Sequence, residues 1–169
     1  FEGKVVSLGQ VVEAFAELWE PFGQFPFADA LARGVMVAAL LTATVRRALP
    51  TAPGFAFDAP TAGSGKTLLA SCVAALAGHR PSVTPVPGDD DEARKALFAS
   101  LRAGAGVVLW DNIVRPLEGG SLNAFLTAET FGDRVLGVSE RDELPNRAMF
   151  LATGNNLKTS GDVFRRVLI

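Results

Sequence analysis

Residues Ala59-Pro60-Thr61-Ala62-Gly63-Ser64-Gly65-Lys66-Thr67 have the types and spacing of a phosphate-binding turn. Small residues let the backbone curl until several N–H groups face inward, toward phosphate oxygens. A helix starting at the end of the turn adds the positive end of its dipole. At this spacing the Lys66 ammonium reaches β- and γ-phosphates, and the Thr67 hydroxyl is placed to hold Mg²⁺. The strict pattern has glycine where this chain has Pro60, and a proline with φ near −65° opens the turn instead. The whole stretch read as nucleotide-binding is Pro60, Thr61, Ala62, Gly63, Ser64, Gly65, Lys66, Thr67 and Leu68. The plainer alternative is a Gly-Ser-Gly turn followed by Lys-Thr without function.

Three further segments carry chemistry. Val107-Val108-Leu109-Trp110 is an apolar run that delivers Asp111 to its end, where a carboxylate can hold Mg²⁺ directly or through water. Asn112 follows; its amide hydrogen-bonds a water but cannot take its proton, so either turnover is slow, or Asn112 only positions the water, or another carboxylate contributes, Glu118 being one candidate. Phe150-Leu151-Ala152-Thr153-Gly154-Asn155-Asn156 turns abruptly from apolar to polar. Asn155 there either contacts a terminal phosphate or the attacking water, or closes an Asn-rich turn. Arg165 and Arg166 open the last apolar run, as cations for a phosphoryl group or as a solvated pair. His79 reads as a surface residue, and Trp19 and Trp110 read as core.

These residues need a scaffold, and the hydropathy pattern supplies one. Ser7 and Gln10 form a capping box ahead of a helix that Pro21 ends, and a second helix runs from about Ala28 to Ala48. Gly54 to Ala59 reads as the strand before the turn, and Thr67 to Ala77 as the helix after it. Further strands are expected at Ser82 to Val86, Gly106 to Trp110, Arg134 to Ser139, Arg147 to Thr153 and from about Arg166. A polar turn with Pro145 joins the third and fourth of these. Helices are expected from Asp89 and over Ser121 to Glu129. Strands alternating with helices imply an α/β fold with a mainly parallel sheet covered on both faces. Ligands in such sheets sit at the carboxyl ends of strands, where the turn, Asp111 and Asn155 all fall.

Composition narrows the function classes. The chain has 169 residues, 49% hydrophobic and 20% charged, enough for one domain with a full core. A net charge of −2 gives no general argument for nucleic-acid binding. The single Cys72 excludes an internal disulfide and any cysteine-rich metal site. The longest apolar stretch, Gly34 to Val45, falls short of the about 20 residues a membrane span takes. No leader is visible, so a cytoplasmic protein without membrane contact is expected. The start at Phe1 and the apolar finish at Val167-Leu168-Ile169 suggest a piece of a longer protein.

With these segments in this order, residues 59 to 166 resemble the AAA+ ATPases, as Walker A-like, Walker B-like, sensor-1-like and arginine-finger-like elements. The likeness extends to the branch with a β-hairpin before sensor 1, through Phe131 to Asn155, and to that branch's arginine-finger segment through Asp162-Val163-Phe164-Arg165-Arg166-Val167. The chain is also similar to the helicase portion of phage- and plasmid-borne primase–helicases. The resemblance implies a three-layer αβα P-loop core with a five-stranded sheet over residues 54–169. On that likeness residues 1–53 would be a helical lead-in, and the α-helical lid of the family would be absent from the sequence. It implies ATP and Mg²⁺ as cofactors, Thr67 and Asp111 as metal ligands, and Lys66, Asp111, Asn112 and Asn155 as catalytic residues. Arg165 or Arg166 would act on a neighbour's nucleotide in a hexameric ring of the same protein. DNA is the implied partner and helicase action the implied task. Two departures stand beside it. No Gly-Ala-Phe-Thr-Gly-Ala loop lies between residues 78 and 106. The expected hairpin turn, Glu140-Arg141-Asp142-Glu143, carries more acid than base, which repels a phosphate backbone. A protein-remodelling or regulatory subunit is therefore one alternative, and a nucleotide-binding module with little turnover is another.

Overall fold

Ser7 opens the first helix by the expected reciprocal bonds: its hydroxyl accepts from Gln10 N at 3.3 Å, and Gln10 Oε1 accepts from Ser7 N at 3.0 Å. Helix α1 (Leu8–Trp19) runs from this cap into a 3₁₀ turn, Glu20–Phe22, that contains Pro21. The computed structural model describes residues 5–134 and 141–169. The chain divides into two compact units, Phe1–Arg33 and Gly34–Ile169. In the first, Trp19 stacks on Phe27 at 5.6 Å and tilts against Phe22 at 6.1 Å. Trp19 is half-buried rather than core, because two phenyl rings cover only part of the indole; Phe22 is the buried residue there.

Helix α2 (Ala30–Val45) buries Met36, Ala39, Leu40 and Ala43, the i, i+3, i+4, i+7 stripe of an amphipathic helix. Arg46 follows, buried, its guanidinium donating to the carbonyls of Ala148, Leu49 and Asn146. Burial first, and then neighbouring Arg147, hold its pKa below the usual arginine value.

The remaining elements alternate as expected: β1 (Gly54–Asp58), α3 (Lys66–Leu76), β2 (Ser82–Thr84), α4 (Asp90–Arg102), β3 (Val107–Ile113) and α5 (Gly120–Thr127). They continue through β4 (Thr130–Arg134), β5 (Arg141–Pro145), β6 (Met149–Gly154) and β7 (Val167–Leu168). Five strands form one all-parallel sheet in the order β2-β3-β6-β1-β7. The fold is thus α/β, a parallel sheet flanked by helices, with β4 and β5 as a separate antiparallel hairpin.

The hairpin lies earlier than expected. Its first strand begins at Thr130, where Phe131 packs edge-to-face on Phe125 at 5.5 Å. Pro145 ends β5 instead of turning between strands, and Arg141 to Glu143 pair along β4 instead of forming the tip. Proline fits there because a strand end needs no further donor. Of the strand expected over Arg134 to Ser139 only Arg134 is described, as the end of β4; Val135 to Ser139, and Glu140 of the expected tip, lie outside the described residues. The last strand starts at Val167: Arg165 ends a 3₁₀ turn, Gly161–Arg165, and Arg166 caps it.

Side-chain alternation along the strands sorts the core into two faces. Val108, Trp110, Phe150 and Ala152 share one cluster with Leu97 and Phe98 of α4 and with Leu122 and Phe125 of α5. Their odd-numbered neighbours, such as Leu109 and Leu151, are equally buried but point the other way, the side contacted by α3. Asp111 and Thr153 share that odd parity.

Candidate functional site

The glycine-rich turn leaves the carboxyl end of β1 and enters α3. Gly63 (φ 76°) and Gly65 (φ 88°) take left-handed conformations that a Cβ would penalise. Gly65 is the residue before the first helical turn, so the free N–H groups of Lys66 onward face the turn. Half-buried Lys66 folds back over it, its Nζ donating to Thr61 O at 2.9 Å and to Ser64 Oγ at 3.0 Å. The turn thus surrounds an ammonium held by groups that a phosphate can displace. Pro60, Thr61, Ala62, Thr67 and Leu68 lie on its exposed or partly exposed rim.

Parallel pairing brings the second component close. β6 lies between β1 and β3, with Ala56 opposite Ala152 and Trp110 opposite Ala152 on the other side. Asp111 therefore emerges beside Thr153 on the α3 side. Thr67 Oγ1 donates to Asp111 Oδ1 at 2.9 Å, and Thr153 Oγ1 donates to the same oxygen at 2.5 Å. Thr153 is 1% exposed, and its hydroxyl also accepts from Asn112 N at 3.0 Å. One hydroxyl thus fixes both the Asp111 carboxylate and the backbone after it. Sequence reasoning passed over Thr153 in favour of Asn155. The available signal was parity: Thr153 is the polar residue on the same face as Leu151 and Leu109, at a buried strand end.

β3 continues past Asp111 to Ile113 through a bulge between Trp110 and Ile113. Asn112 sits there with φ 58°, a conformation that Asn tolerates better than most side chains. The bulge turns Asn112 outward, and it is exposed. Asn155 is exposed just past β6, with no side-chain hydrogen bond among the described residues. It shares the rim with Asp111 but makes no hydrogen bond to it.

The remaining expected residues lie elsewhere. Glu118 takes a hydrogen bond from Ser160 Oγ in a cleft on the α4–α5 side and lines no part of the glycine-rich turn. Arg166 Nη1 donates to Asn123 Oδ1 of α5 at 2.7 Å, and Arg165 is exposed without a side-chain partner among the described residues. Val167 pairs with Gly54, so both arginines precede the sheet's amino edge. They are separated from their own glycine-rich turn by β1, roughly 13 Å of strand. His79 is half-buried, within reach of Arg47 Nη2 at 2.9 Å and over Gly106, where a Cβ would come within 2.2 Å of the ring.

Hard oxygen donors such as Thr67 Oγ1 and the Asp111 carboxylate suit Mg²⁺, which binds through one or two carboxylates plus phosphate oxygens. Among the described residues no cluster of three or more His, Cys, Asp or Glu could hold a metal on its own. No described helix is long and apolar enough to cross a membrane. A comparison with models of known protein families finds none that matches this chain, and a comparison with curated proteins finds no match either.

Proposed function

We propose that this chain is the ATP-binding and ATP-hydrolysing core of an AAA+ motor of the pre-sensor-1 hairpin kind, part of a DNA helicase or primase–helicase. The observation that carries this reading is the convergence of Thr67 and Asp111 at 2.9 Å. The two residues are 44 positions apart, and they meet beside a turn that presents Lys66 and a helix N-terminus. Together they offer a cation, backbone donors and an oxygen pair, the set that a nucleoside triphosphate with its metal requires.

Lys66 would exchange its Thr61 and Ser64 partners for phosphate oxygens. Thr67 and Asp111 would ligate Mg²⁺, which supplies neutralisation of charge developing on the β- and γ-oxygens. The Thr153 hydroxyl keeps the Asp111 carboxylate turned toward Thr67. Asn112 and Asn155 bring amides to the rim, able to orient a water but not to deprotonate it. Arg165, exposed and on the far edge of the sheet, fits an action on a neighbouring copy in a ring, taken as a hexamer. Arg166, already paired with Asn123, fits that role less well.

Phosphate release from ATP, compared between wild type and Lys66→Ala, tests the reading; equal rates defeat it. A protein-remodelling motor is the second reading, favoured by the acidic Asp142 and Glu143 on β5. Titration with single-stranded DNA across salt separates the two, since a helicase core loses DNA affinity steeply as salt rises.

A further inference from the structure

A second cleft, of about 460 Å³, opens on the α4–α5 side of the sheet, and no residue of the glycine-rich turn lines it. Its volume lies within the roughly 300–1,000 Å³ of small-ligand sites. Trp110, Ile113 and Leu117 form an apolar floor. The walls are loops laced together: Leu117 N donates to Lys158 O at 2.7 Å, Ser160 N to Leu117 O at 3.2 Å, and Arg115 Nη1 to Gly88 O at 2.6 Å.

Four carboxylates line this cleft against the single guanidinium of Arg115. Asp90 is spent on the Ser121 N–H and hydroxyl, and Asp89 caps α4 by accepting from Glu92 N. Glu118 keeps one carboxylate oxygen beyond its bond from Ser160, and Asp162 has no side-chain hydrogen bond among the described residues. A second observation is independent of this charge. Trp110 is 3% exposed, and its indole N–H has no acceptor among the described residues. An unpaired buried donor is costly, and this one belongs to a residue of the cleft wall.

We propose that the cleft binds an extended polypeptide segment through an arginine or lysine side chain. The cation pairs with Glu118 and Asp162, and its methylene stem covers the apolar floor. A nucleotide or nucleic acid offers acceptors but brings negative charge into an acidic cleft, so the polypeptide is the better fit.

The sequence has two tryptophans, so Trp19→Phe leaves Trp110 as the only indole reporter. Titration of this chain with an acetylated Leu-Arg-Gly-Arg-Leu amide should change Trp110 emission saturably and more weakly at high salt. Glu118→Gln with Asp162→Asn, both exposed positions, should lower the affinity about tenfold, while Lys66→Ala leaves it unchanged. The proposal is overturned if no saturable change occurs. An equal response to the same peptide with citrulline for arginine, or undiminished affinity in the double variant, overturns it as well. A saturable response to inorganic triphosphate that persists in Lys66→Ala would reassign the cleft to polyanions.

Discussion

Two sites open at the carboxyl ends of the same strands and carry opposite chemistry. On the α3 side, Lys66 and the first turn of α3 present positive charge, and a single carboxylate, Asp111, is held by two hydroxyls. On the α4–α5 side, four carboxylates surround an apolar floor. The two are separated by one residue of one strand: Trp110 goes to the acidic cleft and Asp111 to the side of the glycine-rich turn. Strand alternation is enough to sort neighbouring residues into two environments on opposite faces of one sheet.

The sharpest way to break that separation is Lys66→Ala. ATP turnover should fall by on the order of 10²-fold or more, as expected when an electrostatic stabiliser of the transferring group is removed. Trp110 emission should not change. An altered emission spectrum would show that the two sites communicate through α3. Thr153→Val comes next. It leaves Asp111 Oδ1 and Asn112 N each without one partner, and should cost about 1–3 kcal/mol in urea unfolding. It should also raise the Mg²⁺ concentration needed for half-maximal turnover. Thr153→Ser, which keeps the hydroxyl, should restore both; a serine variant as impaired as valine would reduce Thr153 to packing.

Gly154 touches both regions. A Cβ there would come 2.9 Å from the Ile113 carbonyl and 3.2 Å from Leu157 Cβ. Ile113 lines the acidic cleft and follows the bulge at Asn112 on the other side. Gly154→Ala should therefore destabilise by about 1–3 kcal/mol and disturb ATP turnover and Trp110 emission together. An effect on one readout alone would show that the bulge absorbs the shift. Asn112 tests a smaller term. At φ 58° glycine costs nothing in strain, whereas alanine or glutamate costs about 1–2 kcal/mol. Denaturant midpoints should therefore follow Gly ≥ Asn > Ala. For the same reason Asn112→Glu should be less stable than wild type even where it speeds turnover.

Local chemistry was legible in the sequence where short-range rules decide it. The Ser7–Gln10 box, the left-handed glycines of the turn and the apolar run into Asp111 depend on residues close together, and each could be read directly. The parallel sheet followed from the alternation of elements. Strand order did not, because which strands neighbour which depends on contacts between residues 40 to 100 positions apart, such as Thr67 with Asp111 and Phe55 with Leu151. Thr153 was hidden for that reason: its role exists only once β6 lies beside β3. The hairpin was displaced because Thr130 and Phe131 follow directly on α5, and their strand character shows only through Phe125 packing and pairing with β5. The acidic cleft was invisible for a further reason. Asp89 marks only the start of an expected helix, and nothing local says that Glu118 and Asp162 line one cleft with it and Asp90.

Helix α4 supplies Asp89 and Asp90 to the cleft, and its next residue tests how much of the local acidity is structural. Asp91 accepts from Lys95 Nζ at 2.5 Å and from Arg94 Nη2 at 2.6 Å, and Arg94 Nη1 reaches on to Asp133 of the hairpin. The bonds from Lys95 first and Arg94 second lower the Asp91 pKa from 3.8. A carboxyl whose folded pKa lies below its unfolded value stabilises the fold above the unfolded value. That stabilisation is lost as pH falls through the folded one. Asp91→Asn should therefore melt slightly below wild type at neutral pH, with the gap closing as pH drops below 3.8. Asp91 is fully exposed, so added salt should shrink the gap too. A gap that persists at low pH or high salt would mean that Asp91 acts through the geometry of α4. In that case peptide affinity at the cleft should fall in the same variant, whereas a purely electrostatic Asp91 leaves it intact.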